Sequence, residues 1–459
     1  MGRKRSPGLR NRGGIWHIEK QILGQKIHES TGTSDLKTAE LILARRIDEI
    51  RQAKLFGVRP RRTFREAATK FLEENIHLAS IGDYAMHLKQ LDPFIGDLPL
   101  QNVHLGTLQP FIEARRKQGI KIKSINLALG CVRRILNLAA RLWRDENGLT
   151  WLETAPLIQM LPVTDARRPY PLSWEEQHQL FQALPDHLAR MCLFKVNTGC
   201  REQEVCQLRW DWEVRVPELD TSVFIVPGEV VKNREDRLVV LNRIAKSVIE
   251  EVRGKHSEYV FTYKGRPVNN INNTSWKRAR ILAAMDAVRS DPECAWITDS
   301  VECEGTDIRA QVRCQRSDSE ELLVLTYTLE DYEQERAVMG RKPLTTWQKK
   351  GPDLRQQLRH KAIQRFLEIH WPSATALSRV RVHDLKHTFG RRLRAAGVAV
   401  ETRKVLLGHR NGDITTHYSA PELEELLNAA NKVCGEKSGK TPALVVLKTK
   451  AATTHVVTA

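Results

Sequence analysis

Apolar residues recur at spacings of three and four through most of the chain, which predicts a mainly helical protein with small patches of β-structure. The amino terminus reads differently. Ile15, Trp16, His17 and Ile18, then Gly24-Gln25, then residues 26–29 predict a short hairpin. A helix should follow, with Ser34 as its N-cap and Leu36, Ala39, Leu43, Ile47 and Ile50 along one face. Between 63 and 161, helical spacing marks 64–71, 81–91, 108–118 and 125–142. Residues 162–171 (PVTDARRPYP) cannot continue a helix and predict a linker. Ser173 opens a further helix, with Glu175 and Glu176 in its first turn, where carboxylates complement the helix dipole. Residues 222–226 and 238–241 are strand-like runs on either side of a polar segment, 232–237, with 259–262 as a candidate third strand. Residues 308–315 and 322–330 alternate as a hairpin does. After Pro421, Leu423, Leu426, Leu427, Ala430 and Val433 form a last helical stripe.

Charge narrows the class of partner. The 459 residues include 73 Lys and Arg against 55 Asp and Glu, a net charge of +18 in a chain that is 41% hydrophobic. Such a balance suits a folded protein that meets polyanions. Residues 1–62 hold 15 basic and 6 acidic residues, which makes Arg3, Lys4, Arg5, Arg10, Arg12, Lys20 and Lys26 candidate DNA contacts; the plain alternative is a solvated charged face. Residues 286–335 hold 14 acidic and 4 basic residues, and residues 336–361 hold 8 basic and 1 acidic, a swing that predicts a lobe of its own. No stretch approaches the ~18 apolar residues of a membrane span, and no apolar segment follows the charged start, so a cytoplasmic protein is expected. The eight cysteines show no CxxC pair and are expected as reduced thiols. Residues 434–459, rich in Lys, Thr and Ala, are expected to be a flexible tail.

Several residues could act together on a phosphate. Such chemistry without a metal needs cations around the nonbridging oxygens, a nucleophile, and a proton donor for the leaving oxygen. Arg201 follows Thr198-Gly199-Cys200 at a helix start, where an anion is favoured. Lys232 lies in the turn between two strands, His383 and Lys386 open another helix, and His409 leads through a polar turn to Tyr418. Taken singly, Arg201 and Lys232 also read as ordinary surface residues. His383 and His387 have the i, i+4 spacing of metal ligands, but no HExxH glutamate or nearby cysteine completes a set, so no metal and no cofactor is assigned.

Four segments, TGCREQEVCQLRW, VVKNREDRLVVL, VHDLKHTFGRRLRAAGV and VLLGHRNGDITTHYS, resemble in order and in local sequence the boxes of the tyrosine recombinase (phage integrase) family. The resemblance implies an α+β fold, mainly helical with a small sheet. It places a catalytic domain at 172–433 after a helical, SAM-like core-binding domain at 63–161 and an arm-type DNA-binding module at 1–62. It implies a site-specific recombinase that cleaves and rejoins DNA through a 3'-phosphotyrosyl bond, needing no ATP and no metal. Tyr418 would be the nucleophile, Arg201 and His409 the phosphate and transition-state stabilisers, Lys232 the general acid and His383 the acid/base partner. The implied partners are double-stranded attachment sites, three further copies of the chain in a tetramer, and a directionality factor or host DNA-bending protein. The final helical stripe either docks on a neighbouring subunit, as the family implies, or packs on its own chain.

Two features depart from the family pattern. Lys386 stands where most members carry a second arginine, which keeps the charge and loses the bidentate fork. The chain from about 285 to 376 is far longer than the helix and short loop expected there. It reads either as a tolerated surface insertion or as a regulatory, partner-binding lobe whose acidity keeps it off DNA. Three other functions remain: a chromosome-dimer resolvase and a type IB topoisomerase within the same chemistry, and a noncatalytic DNA-binding relative, for which Lys386 is the main argument.

Overall fold

The protein is described by a computed structural model over residues 7–232, 234–305, 307–409 and 420–434, and the chain forms two compact units, the first of residues up to Arg167 together with Val338–Arg341 and the second of Arg168–Ala337 and the residues from Lys342 onward.

The first unit begins with an antiparallel sheet, β1 (Leu9–Arg12), β2 (Ile15–Ile22) and β3 (Gln25–Ser30), in that order. A strand is therefore added to the predicted hairpin. β1 is hidden in sequence by its charges, because only Leu9 is buried, opposite Ile18. α1 (Leu36–Phe56) covers this face with Ala39, Leu43 and Ile50. Its N-cap is Asp35 rather than Ser34: the Asp35 carboxylate accepts from the Thr38 N–H at 2.8 Å, satisfying a donor that the helix itself leaves open. Four helices follow, α2 (Phe64–Glu74), α3 (Ile81–Ile95), α4 (Gln109–Lys117) and α5 (Ile122–Arg141). A reciprocal cap between Thr63 and Glu66 starts α2. α5 buries Ile125, Leu129, Val132, Ile135 and Leu136 against Phe64, Phe71 and Phe111, each burial contributing about 1.5–3 kcal/mol.

The second unit is built around α7 (Asp186–Thr198), which follows α6 (Trp174–Gln182) and precedes the short α8 (Glu202–Cys206). Ser173 and Glu176 cap α6 reciprocally. The small sheet orders β4 (Glu213–Val216), β5 (Thr221–Val226) and β6 (Arg237–Val240), antiparallel, with Val226 opposite Arg237 and Phe224 opposite Val239. Its third strand is thus 213–216 and not 259–262. Tyr259 makes only an isolated bridge with Arg209, and Thr262–Tyr263 (β7) pairs with Arg266–Pro267 (β8) as a separate ribbon. α9 (Arg243–Val252) and α10 (Thr274–Arg289) complete this part.

α10 runs to Arg289, through the start of the section set off by sequence at about 285. That section then forms a sheet of β9 (Cys294–Glu304), β10 (Asp307–Arg316) and β11 (Leu322–Thr328), then α11 (Leu329–Val338), α12 (Thr346–Lys350), α13 (Pro352–His370) and α14 (Pro372–Ser378). It is not a separate lobe. Ile308, Ala310, Val312 and Tyr327 pack with Leu358, Ala362 and Phe366 of α13, in one buried cluster continuous with Met191 and Phe194 of α7. The charge swing resolves into pairs between its two halves: Arg359 with Asp299, Lys361 with Glu335 at 2.6 Å, Arg365 with Glu335 at 3.1 Å and Lys349 with Glu333 at 2.9 Å.

The chain continues with α15 (Val382–Ala395), α16 (Val400–Leu406) and α17 (Ala420–Asn431). The last helical stripe packs on its own chain, with Leu426, Ala430 and Val433 against Phe389 and Leu393 of α15. No helix among the described residues is long and apolar enough to cross a membrane. Of the flexible tail expected at 434–459, Cys434 is instead buried in the same cluster as Phe389 and Leu393 and its carbonyl accepts from Arg243, and residues 435–459 lie outside the described residues.

Candidate active site

The site forms where the ends of α7 and α16 meet the start of α8. α7 stops at Gly199, whose φ of 64° lies in the left-handed region; a Cβ there would come within 2.8 Å of Phe389 and 3.0 Å of Leu407. Glycine therefore lets the turn lie flat on α15 and on the end of α16. Arg201 caps α8. Its backbone N–H donates to Glu204 at 2.7 Å, its Nη1 donates to the same carboxylate at 2.8 Å, and its Nη2 donates to the Gly408 carbonyl at 3.3 Å. Glu204 is buried and also receives Arg237 from β6. Burial pushes the Glu204 carboxyl up, but the Arg237 and Arg201 guanidiniums outweigh it and hold it below the usual carboxylate range.

Two buried lysines complete the floor. Lys195 of α7 donates to the Cys200 carbonyl, and Lys386 of α15 donates to the Leu407 carbonyl. Burial first, then the charges of Arg237 and Arg201, push the Lys386 ammonium down to about 6. At the rim, His383 and His409 are exposed. Burial of its inner side, with His387, Lys195 and Lys386 nearby, lowers the His383 imidazole, and desolvation with Lys386 and Arg201 lowers His409. The His383 and His387 rings meet edge to face at 4.7 Å. Among the described residues, no group of three or more His, Cys, Asp or Glu is placed to hold a metal ion.

Of the six residues singled out as catalytic, the fold brings Arg201, His383, Lys386 and His409 together. Lys232 is exposed in the turn between β5 and β6 and takes no part in the hydrogen bonds that tie the cluster. Tyr418 lies outside the described residues, as do Arg3, Lys4 and Arg5. Arg10 and Arg12 on β1 are exposed, and both pair with Glu19; Lys20 donates to the Pro7 carbonyl at 3.2 Å; Lys26 is exposed on β3. Arg392 faces away from the site, stacked 3.4 Å from the Trp174 ring and donating to Gln177 at 2.8 Å.

Sequence reasoning missed Arg237 and Lys195. In the sequence Arg237 ends the polar segment 232–237, yet it shares the inward side of β6 with Val239, a period of two that marks a buried position. Lys195 lies four positions after Met191, inside the apolar stripe of α7. Chemically, the result is a basic floor built on the Glu204 carboxylate, opening to a rim of one guanidinium and two imidazoles. That suits an anion undergoing proton transfer, such as a phosphodiester.

Gly408 makes the geometry testable. Its φ is 58°, and a Cβ would lie 2.6 Å from Arg237 Nε. Gly408→Ala should therefore cost about 1–2 kcal/mol from the left-handed backbone alone, with more from displacing the turn that carries His409. Thermal unfolding checks this, and a variant as stable as wild type would contradict the packing.

The phage integrase family model matches residues 172–291, ending just before β9. The integrase of Salmonella phage P22 is 24% identical over 324 residues, which cover 61% of this chain and 80% of that protein. Among solved structures, a lambda integrase dimer bound to a COC' core site is similar with a TM-score of 0.42 at 12% identity, covering 93% of this chain and 96% of the other. The Tn1549 transposon integrase in complex with transposon right end DNA is similar with a TM-score of 0.42 at 11% identity, covering 86% and 100%.

Proposed function

With a phage integrase family domain at residues 172–291 as the premise, we propose that the chain is a site-specific DNA recombinase that integrates and excises a prophage or related mobile element. The observation that carries this is the group of half-buried Arg201 and buried Arg237 on the Glu204 carboxylate, with buried Lys386 beside them and His383 and His409 at the mouth. In this reading the Tyr418 phenol oxygen attacks the scissile phosphorus and gives its proton to His383. Arg201, Lys386 and His409 hold the nonbridging oxygens, and Lys232 protonates the departing 5'-oxygen. The phosphotyrosyl bond conserves the phosphodiester's free energy, so neither ATP nor a metal is needed and the step is reversible.

The first unit supplies DNA affinity, chiefly through phosphates and thus sensitive to salt. The acting species is a homotetramer on attachment sites in the bacterial cytoplasm, assisted by a directionality factor or a DNA-bending protein. Sequencing the junctions of the resident element supplies the substrate. A nicked duplex carrying that junction should then trap the protein covalently. A chain that shifts this duplex and leaves no adduct is a noncatalytic binder, and one that relaxes supercoils without joining sites is a topoisomerase. Deleting residues 1–62 should spare binding to the core crossover site and lose integrative recombination. A truncated protein that integrates as well as the full chain at physiological salt would reduce that module to a solvated arm.

Lys386 gives the reaction a pH signature. In the free protein its proton affinity is depressed to about 6, against 10.5 for an ordinary lysine. Between those values the unfolded chain holds one more proton at this position, so its contribution to stability rises with pH across that window. An entering phosphate favours the ammonium form, so DNA binding near pH 8 should take up a proton. Calorimetry in two buffers of different ionisation enthalpy should show this for wild type and not for Lys386→Arg. Equal heats in both buffers for wild type would contradict it.

A further inference from the structure

We propose that Arg237 is a positioning residue for strand transfer: its guanidinium joins the Arg201 and Lys386 sides of the phosphate site into one rigid piece, which offsets the fork that Lys386 lacks. The inference rests on the recombinase reading above. Arg237 is 3% exposed on β6. Its Nη1 donates to the Glu204 carboxylate, which also receives Arg201. Its Nη2 donates to the carbonyls of Thr198 and Leu406, both at 3.4 Å. These are the last residues of α7, which leads into Arg201, and of α16, which leads into Leu407 and Gly408.

That second link matters because Lys386 donates to the Leu407 carbonyl and Arg201 to the Gly408 carbonyl. A phosphate entering the site has to replace those carbonyls as the partner of both side chains. The turn that holds them must therefore stay in place while its hydrogen bonds are exchanged. Arg237 pins it from beneath. The contact is so close that a side chain on Gly408 would meet the guanidinium, and Arg237 Nε finds no acceptor of its own among the described residues.

A purely structural role does not explain the residue. The inward neighbour on the same strand is Val239, fully buried in the apolar core, and a second valine or leucine would serve packing without the cost of burying a charge. Only a planar fork reaches a carboxylate and two carbonyls in different directions; an ammonium would hold the charge pair and lose the bracing. Lys386, with a single ammonium, is positioned by the turn it grips, so the turn needs a second anchor.

The test compares Arg237→Lys, which keeps the charge, and the paired Arg237→Met/Glu204→Gln, which removes both buried charges, with wild type. Two probes are used: protection against thermal unfolding by orthovanadate, a mimic of the pentavalent phosphate, and single-turnover adduct formation on the nicked junction duplex. Both variants should bind the duplex as wild type does. Vanadate affinity and adduct rate should each fall by about tenfold or more, because a displacement near 1 Å can cost a hundredfold. Wild-type values of both quantities in either folded variant would overturn the inference. So would a wild-type protein that vanadate does not protect, since the cluster would then not be an anion site, and so would failure of both variants to fold, which would make Arg237 a stability element. A wild-type protein protected by vanadate that forms no adduct would remove the recombinase reading alone, and the vanadate comparison would still decide the role of Arg237.

Discussion

Replacing Tyr418 with phenylalanine is expected to abolish covalent attachment of the protein to DNA while leaving duplex binding at the wild-type level. The substitution removes one hydroxyl and no charge, and affinity for a duplex comes mainly from cations meeting phosphates. On the proposed reading the nucleophile itself is lost, so the expected effect is complete: no other phenol in the chain follows a His-containing box of the form LLGHRNGDITTHYS. Wild type and Tyr418→Phe incubated with the nicked junction duplex, then denatured, separate the two outcomes. Protein-linked DNA from the phenylalanine variant would sink the assignment of Tyr418.

The second large effect is expected at Lys386. The side chain is 4% exposed, with its Nζ donating to the Leu407 carbonyl, one carbonyl away from the acceptor of Arg201. On the proposed reading Lys386→Ala removes a cation aimed at the developing charge of the phosphorane, and one such donor is typically worth about 3–4 kcal/mol, a loss of about 10²–10³ in cleavage rate. Binding should change far less, since the pocket is small beside the whole DNA interface. Lys386→Arg restores the fork but has to fit a longer side chain into a buried pocket, so activity should be retained with at most a modest change. Equal single-turnover rates for Lys386→Ala and wild type would mean that another cation fills the role, with Arg237 and Lys195 the buried candidates.

What could be read from the sequence was set by the range of the interactions involved. Helical stripes such as 125–142 depend on spacing within one segment, and α5 lies where that spacing places it. The start of α6 was equally legible, because Ser173 and Glu176 form a local cap. The short strands were not. β4 is four residues with two charges, and β1 has one buried residue among three exposed ones, so neither carries an alternation long enough to see. The section after α10 showed its β-alternation, but its place did not show, because Ile308 and Tyr327 are buried by α13, a helix more than twenty residues further on. The same holds for its charge: a net swing along the sequence became a set of ion pairs once Asp299 met Arg359. In the site, Arg201, His383, Lys386 and His409 were found through motif order, whereas Arg237 needed its strand register, and register is set by pairing with β5.

The most direct test of the account is mass spectrometry of the protein trapped on the nicked junction duplex. After nuclease and trypsin digestion, the account predicts a nucleotide adduct on the peptide spanning residues 411–432, with fragmentation placing the phosphate on Tyr418. A nucleotide on any other residue, or a wild-type protein that binds the junction and yields only unmodified peptide, would contradict it.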